Sequence, residues 1–251
     1  MVHIVGAGCG APDLITVRGK KQIEEADVII YAGSLVNPEL LSYARPDCEI
    51  YDSAEMTLEE TTDVIAKAER SGKTTVRLHT GDPSIYGAIA EQMREMDKLG
   101  ISYDITPGVS AFSGAAASMK TEYTLPGVSQ TVILTRASGK TAVPEAERLR
   151  SLASHGTTLI LFLSTGLLGK VTEELTAGGY LPDSPAAIIY KASWPDEKIF
   201  RCTVGTLEKT AADNGITKTA LIAVGGFLES DFFRSRLYDP AWTTEFREAK
   251  I

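Results

Sequence analysis

Residues 74–99 limit the possible folds more than any other part of the chain. Thr74-Thr75-Val76-Arg77-Leu78-His79 is β-branched and apolar enough to read as a strand, and residues 88–99 carry Ile89, Met93 and Met96 at helical spacing. Between them stands Thr80-Gly81-Asp82-Pro83-Ser84-Ile85-Tyr86-Gly87, a strand-to-helix turn. In an open α/β sheet such a turn lies at the carboxyl end of a strand, where crevices form and small ligands bind. Gly81 lets a ligand approach the backbone, Pro83 suits a first helical turn, and Asp82 supplies a fixed carboxylate. Helix capping by Asp82 or Ser84 accounts for the same polar residues equally well on local grounds.

The rest of the chain repeats this rhythm. Strands are expected over 2–5, 28–31, 49–51 and 101–105, with helices over 17–26, 38–43, 58–70 and 113–119. Beyond a Pro126-Gly127 linker the pattern restarts. Strands are expected over 130–135, 157–163, 186–190, 199–204 and 220–224, and helices over 144–154, 169–177 and 207–214. Such alternation predicts an α/β protein with mixed, mostly parallel sheets covered on both faces. The division expected is an N-terminal α/β domain over 1–112, a C-terminal one over 113–240, and a tail over 241–251.

With 251 residues, 43% of them apolar, the chain can build a real core, and no disordered class fits. A net charge of −8 shows no nucleic-acid footprint. The three cysteines, Cys9, Cys48 and Cys202, form no CxxC pair, which argues for a reducing compartment, the cytoplasm by default, and against a structural zinc site. No run of 18 apolar residues is present, so no membrane span is expected.

The opening loop Gly6-Ala7-Gly8-Cys9-Gly10-Ala11-Pro12-Asp13 follows the first strand, and its GxGxG invites a dinucleotide reading. Pro12-Asp13 lengthens the loop, however, and the second strand ends in Ala32-Gly33-Ser34 without the acid that would hold a ribose. A tight strand-to-helix turn is the competing explanation. A nicotinamide-dependent oxidoreductase and a non-catalytic cofactor-binding regulator therefore remain as alternatives on residue grounds.

Seven segments in order carry a resemblance. GAGCGAPDLITVRG, TGDPSIYG and TPGVSAF together resemble the tetrapyrrole methyltransferase superfamily, whose members take a methyl group from S-adenosyl-L-methionine. YAGSLVNPELL, QTVILTRASGKTAVPE, IIYKASWPDEKI and SRLYD are similar to its precorrin-4 C11-methyltransferase branch, with another corrin-ring or superfamily methyltransferase as the alternative. The resemblance implies two α/β domains with the cofactor in an interdomain cleft, a fold distinct from the Rossmann methyltransferases, and usually a homodimer. It assigns cofactor contacts to Gly81, Asp82, Ile85, Tyr86, Ser110 and Ala111, then to Leu163, Ala192, Val224 and Gly225. Gly8, Cys9, Gly10 and Asp13 would face the tetrapyrrole. Cys9 stands where the family usually has proline, and Ala11 where it has an acidic residue.

The implied acceptor is a polycarboxylate macrocycle, so cations should line its trough. Arg18, Arg136 and Lys191 are the candidates, with Lys20, Lys21 and Lys140 the weaker ones. Tyr31 and Trp194 are flat enough to stack on a ring, though core or interface packing explains them as well. No acid–base residue or metal is demanded. Displacement from a sulfonium by a nucleophilic ring carbon needs positioning above all.

Overall fold

The computed structural model describes residues 1–229 and 231–250, which form two compact units. The first comprises Met1–Ala115 together with Lys191–Glu197, and the second comprises Ala116–Tyr190 with the chain from Lys198 onward. Among the described residues no helix is long and apolar enough to cross a membrane.

In the first unit the strands are β1 (Val2–Gly6), β2 (Val28–Tyr31), β3 (Glu49–Asp52), β4 (Thr75–His79) and β5 (Tyr103–Thr106). They pair in the order β3-β2-β4-β1-β5, and every pairing is parallel. The intervening helices are α1 (Val17–Glu25), α2 (Leu58–Arg70) and α3 (Ile89–Leu99), and α4 (Ala111–Met119) follows β5. α2 starts at a capping box in which Thr57 and Glu60 satisfy each other's backbone amides. α3 stops at Gly100, whose φ of 67° gives the left-handed cap that glycine adopts without steric cost.

Alternation along the strands divides this core in two. Val5, Ile29, Val76 and Leu78 pack with Ile23 of α1, whereas Val2, Ile4, Val28 and Ile30 pack with Ile65 of α2 and Met96 of α3. β4 is the central strand, and all five of its residues are buried. Since Val76 and Leu78 face α1, Arg77 and His79 must point to the α2 and α3 face. A bond from Arg77 Nε to Gln92 Oε1 of α3, at 2.9 Å, agrees.

The second unit contains β6 (Val132–Arg136), α5 (Leu149–Ala153), β7 (Thr158–Phe162), α6 (Leu168–Ala177), β8 (Pro185–Tyr190), β9 (Lys198–Thr203), α7 (Leu207–Asp213) and β10 (Ala220–Val224). The order is β6-β7-β10-β8-β9. Only β6 and β7 are parallel; the other three pairings are antiparallel. The parallel expectation thus holds throughout the first sheet, while the second is mixed. Its β8 and β9 are joined by seven residues with no helix, a connection too short for a parallel crossover. The helix expected over 144–154 is a 3₁₀ turn, Glu145–Glu147, followed by α5, because Arg148 between them is extended at ψ 141°.

Candidate functional site

At the carboxyl edge of the first sheet three loops press together. A Cβ on Gly108 would fall 2.1 Å from the Gly81 carbonyl oxygen, and one on Gly6 would fall 2.5 Å from the Gly108 nitrogen. Only glycine fits at these two positions. Gly8 and Gly81 form an antiparallel bridge, with Gly81 N donating to Gly8 O at 2.8 Å and Gly8 N to Gly81 O at 3.3 Å. The opening glycines are therefore explained by backbone packing against the strand-to-helix turn, without any pyrophosphate.

Asp82 fastens this edge. Its Oδ2 accepts from the Gly108 amide at 3.0 Å, and its Oδ1 accepts from the Ser84 amide at 2.9 Å and from the Ser84 hydroxyl. Burial alone would raise its pKa, but the bonds from Ser84 and Gly108 outweigh burial and hold the carboxyl below its ordinary value. Tyr86 follows with φ at 57° and is 44% exposed, an aromatic ring displayed from a strained backbone. Ile85 is half-buried, Ser110 is buried, and Ala111 opens α4.

The segment Lys191–Glu197 completes the opening loop. Ser193 Oγ lies 3.3 Å from Cys9 Sγ and accepts from the Ala11 amide at 3.0 Å. Trp194 covers Gly10 so closely that a Cβ there would sit 2.3 Å from its ring, and Asn37 Nδ2 donates to Gly10 O at 3.0 Å. Cys9 and Ala192 are buried, whereas Asp13 is exposed in the Pro12–Leu14 turn. Lys191, with φ at 48°, pairs with Asp196 at 2.7 Å and lies 5.3 Å from the Trp194 ring centroid.

The other cations sort by what they touch. Arg18 is exposed on the first turn of α1, and Lys20 and Lys21 pair with Glu24 and Glu25 along the same helix. Lys140 is exposed. Arg136 turns back on its own loop, donating to the carbonyls of Thr141 at 3.0 Å and Ala142 at 2.9 Å. Tyr31 is half-buried at the end of β2, where its carbonyl accepts from Ser53.

The second unit separates residues that the resemblance groups together. Leu163 follows β7 with φ at 50° and is 66% exposed, an apolar side chain held out from a strand end. Val224 and Gly225 do not share that end. β10 runs antiparallel to β7, placing Val224 opposite Leu159, so Val224 lies about 13 Å along the sheet from Leu163 at 3.3 Å per residue, and Gly225 lies further. The end of β10 level with Leu163 is its start. There Thr219 has φ at 59° and the Ala220 carbonyl accepts from Thr165 Oγ1 at 3.1 Å, while Ala220 itself pairs with Tyr190 of β8. Thr219 and Ala220 escaped the sequence reading because strand direction is not written in a hydrophobic run.

A second omission lies beneath the Thr80–Gly87 turn. A cavity of about 290 Å³ is lined by Arg77 and His79 together with Thr61, Tyr86, Glu91 and Gln92 and neighbouring residues. Both β4 side chains are buried, at 7% and 4% exposure. Burial draws the Arg77 pKa down to about 10 and, with help from the Arg77 charge, that of His79 to about 3, so the imidazole is neutral at pH 7.

Comparison with known proteins places this architecture. The tetrapyrrole (corrin/porphyrin) methylases match residues 1–208. A cobalt-precorrin-4 C(11)-methyltransferase of Methanocaldococcus jannaschii is 55% identical over 249 residues, covering 99% of this chain and 96% of the relative. A solved cobalt-precorrin-4 methyltransferase of cobalamin biosynthesis superposes with a TM-score of 0.89 at 47% identity, covering 91% of this chain and 96% of that one. The uroporphyrin-III C-methyltransferase of Thermus thermophilus, solved with S-adenosylhomocysteine, shares the fold with a TM-score of 0.74 at 23% identity, covering 91% and 93%. With a family match over most of its length and a relative this similar end to end, the chain belongs to the tetrapyrrole methylases.

Proposed function

We propose that this chain transfers the methyl group of S-adenosyl-L-methionine to C11 of precorrin-4, or of its cobalt form, giving the corresponding precorrin-5 in cobalamin biosynthesis. The observation that carries the reading is the carboxyl edge of the first sheet, where Asp82 locks the Thr80–Gly87 turn to the loop before α4 and presents Tyr86 to solvent. The methanogen relative supplies the same activity under its own name.

The residues suit the cofactor. Tyr86 in the turn after β4 and Leu163 at the end of β7 hold exposed side chains out of left-handed backbone, a costly arrangement that persists where something binds. Gly81, Ile85, Tyr86, Ser110, Ala111 and Ala192 of the first unit would hold it, and the resemblance adds Leu163, Val224 and Gly225. Bound there, it supplies a methyl group on a sulfonium. Asp82 cannot press on that sulfonium, because its oxygens are turned to Ser84 and Gly108; its role is to hold the backbone that binds the donor. This is the better arrangement, since a carboxylate against the sulfonium would stabilise the ground state more than the transition state. The loop from Gly8 to Asp13, clasped by Ser193 and Trp194, faces the acceptor and excludes other orientations of it.

We further place the protein in the cytoplasm as a homodimer. Its three cysteines are all free. Phe232, Phe233, Leu237, Tyr238 and Phe246 are exposed beyond the last strand, an apolar surface of the kind that a second copy covers. Light scattering giving a monomer mass would remove the dimer.

Purified protein incubated with S-adenosyl-L-methionine and either metal-free or cobalt-loaded precorrin-4 should add one methyl group by mass spectrometry. Calorimetry should show S-adenosylhomocysteine binding and no NADH binding. Tight NADH binding without the homocysteine analogue would overturn the reading in favour of an oxidoreductase.

A further inference from the structure

The cavity beside β4 holds a feature that methyl transfer does not require. Among the described residues, its wall includes a buried guanidinium with no ion-pair partner and a buried imidazole whose Nε2 has no hydrogen-bond partner. Arg77 directs Nε to Gln92 at 2.9 Å and Nη1 to the Ile30 carbonyl at 3.1 Å, and neither bond uses Nη2. The carboxylate that acts on it at a distance is Asp52, whose Oδ1 is occupied by the amides of Gly33 and Ala54.

Buried cations are ordinarily paired, and buried polar nitrogens are ordinarily bonded. Two departures side by side on the central strand, both facing one cavity, point to a missing anion. The size agrees: at about 30 Å³ per water, 290 Å³ takes a carboxymethyl or carboxyethyl arm with several waters. Glu91 lies on the wall as well, but it is exposed, so solvent screens its charge while Arg77 and His79 act from the buried side.

We propose that this cavity is a carboxylate pocket that receives one acidic side arm of the tetrapyrrole, with Arg77 Nη2 and His79 Nε2 as its donors. The pocket rests on the substrate class proposed above. It turns the macrocycle by gripping a side arm, and so decides which ring carbon meets the methyl group. Thr80, Ile85 and Tyr86 also line it, so the strand-to-helix turn serves the acceptor on this side.

Turnover of cobalt-precorrin-4 by the wild-type chain, followed by mass spectrometry, decides the substrate class by itself. In His79→Leu the KM for that macrocycle is expected to rise about tenfold or more, as for loss of a hydrogen bond to a charged group, while KM for S-adenosyl-L-methionine and kcat stay within about threefold. His79→Gln, which keeps a donor, should recover most of the loss, and Arg77→Met should exceed it. Circular dichroism and S-adenosylhomocysteine binding establish that each variant is folded. Should Arg77→Met fail to fold, the His79 pair still decides.

A readout without turnover uses the fact that the chain has only three histidines. The ¹⁵N resonance of His79 is expected to move on adding cobalt-precorrin-4 or plain propionate and to stay in place with S-adenosylhomocysteine. An unchanged macrocycle KM in folded His79→Leu overturns the pocket, as does a His79 signal that follows the homocysteine analogue instead. If the wild type leaves cobalt-precorrin-4 unmethylated, the substrate class falls, and propionate alone decides the site. A shift then supports carboxylate binding, and none at tens of millimolar overturns it.

Discussion

The central strands of the two sheets occupy equivalent places and are built from different material. β10 is Ala220-Leu221-Ile222-Ala223-Val224, buried throughout and wholly apolar, and the core around it joins Leu159, Leu161, Val171, Leu175 and Leu207. β4 is buried just as fully, yet it carries Thr75, Arg77 and His79. Close by, Thr106 donates to Gln22 at 2.8 Å inside the first unit. The second sheet is a core whose side chains do little beyond packing. In the first, the core is also the floor of a site, and its stability depends on charge as well as on packing.

The largest expected effect exploits that difference through pH. Unfolded, His79 titrates near 6.5, whereas in the fold burial keeps it neutral down to about pH 3. Above pH 6.5 both states are neutral and the residue adds nothing to the pH dependence. Below it the unfolded chain takes up a proton that the folded chain refuses, so stability falls steadily towards pH 3, by on the order of 5 kcal/mol at most. Hydrogen exchange at pH 5 should therefore show β4 and β1 losing protection before β7 and β10, and His79→Leu should flatten the difference. Simultaneous loss in both sheets would break the contrast.

Next in size is the glycine edge. Gly108→Val forces a side chain onto the Gly81 carbonyl, and a loss of about 3 kcal/mol is expected in urea unfolding, with methylation reduced as well. Gly166→Ala in the second unit meets nothing within 4 Å, and should stay within about 0.5 kcal/mol of wild type. Equal costs would show that the close packing of the first edge has no special standing.

The smallest effect tests Asp82. Asp82→Asn keeps one acceptor oxygen and loses the other, so the bonds to Ser84 and Gly108 cannot all survive. The KM for S-adenosyl-L-methionine should rise about tenfold with kcat nearly unchanged. A fall in kcat at saturating donor would place the carboxylate in the chemistry itself.

Much of this was legible in the chain. The strand-to-helix turn at Thr80–Gly87 and the alternation of strands and helices correspond to what is found, because local spacing encodes them. Three matters were not. Reading 74–79 as apolar concealed Arg77 and His79, since a strand covered on both faces has no polar side to betray an inward cation. Val224 and Gly225 came from the resemblance alone, and the antiparallel pairing that sets them at the opposite sheet end from Leu163 is not written in a hydrophobic run. Finally, Gly8 looked separable from the cofactor turn. Its bridge to Gly81 means that enlarging it disturbs donor and acceptor sides together.

Ser193 reaches Cys9 across 184 residues of chain, and this separation has a consequence for synthesis. The first 115 residues contain every strand of the first sheet and emerge early. At roughly 5–20 residues per second, about 4–15 seconds then pass before residues 191–197 exist to close over Gly10. During that interval the nascent sheet stands with its opening loop uncovered, a natural stage for chaperone capture. A ribosome pause placed between residues 120 and 190 should lengthen that exposure and lower the yield of active enzyme, whereas one beyond residue 200 should not.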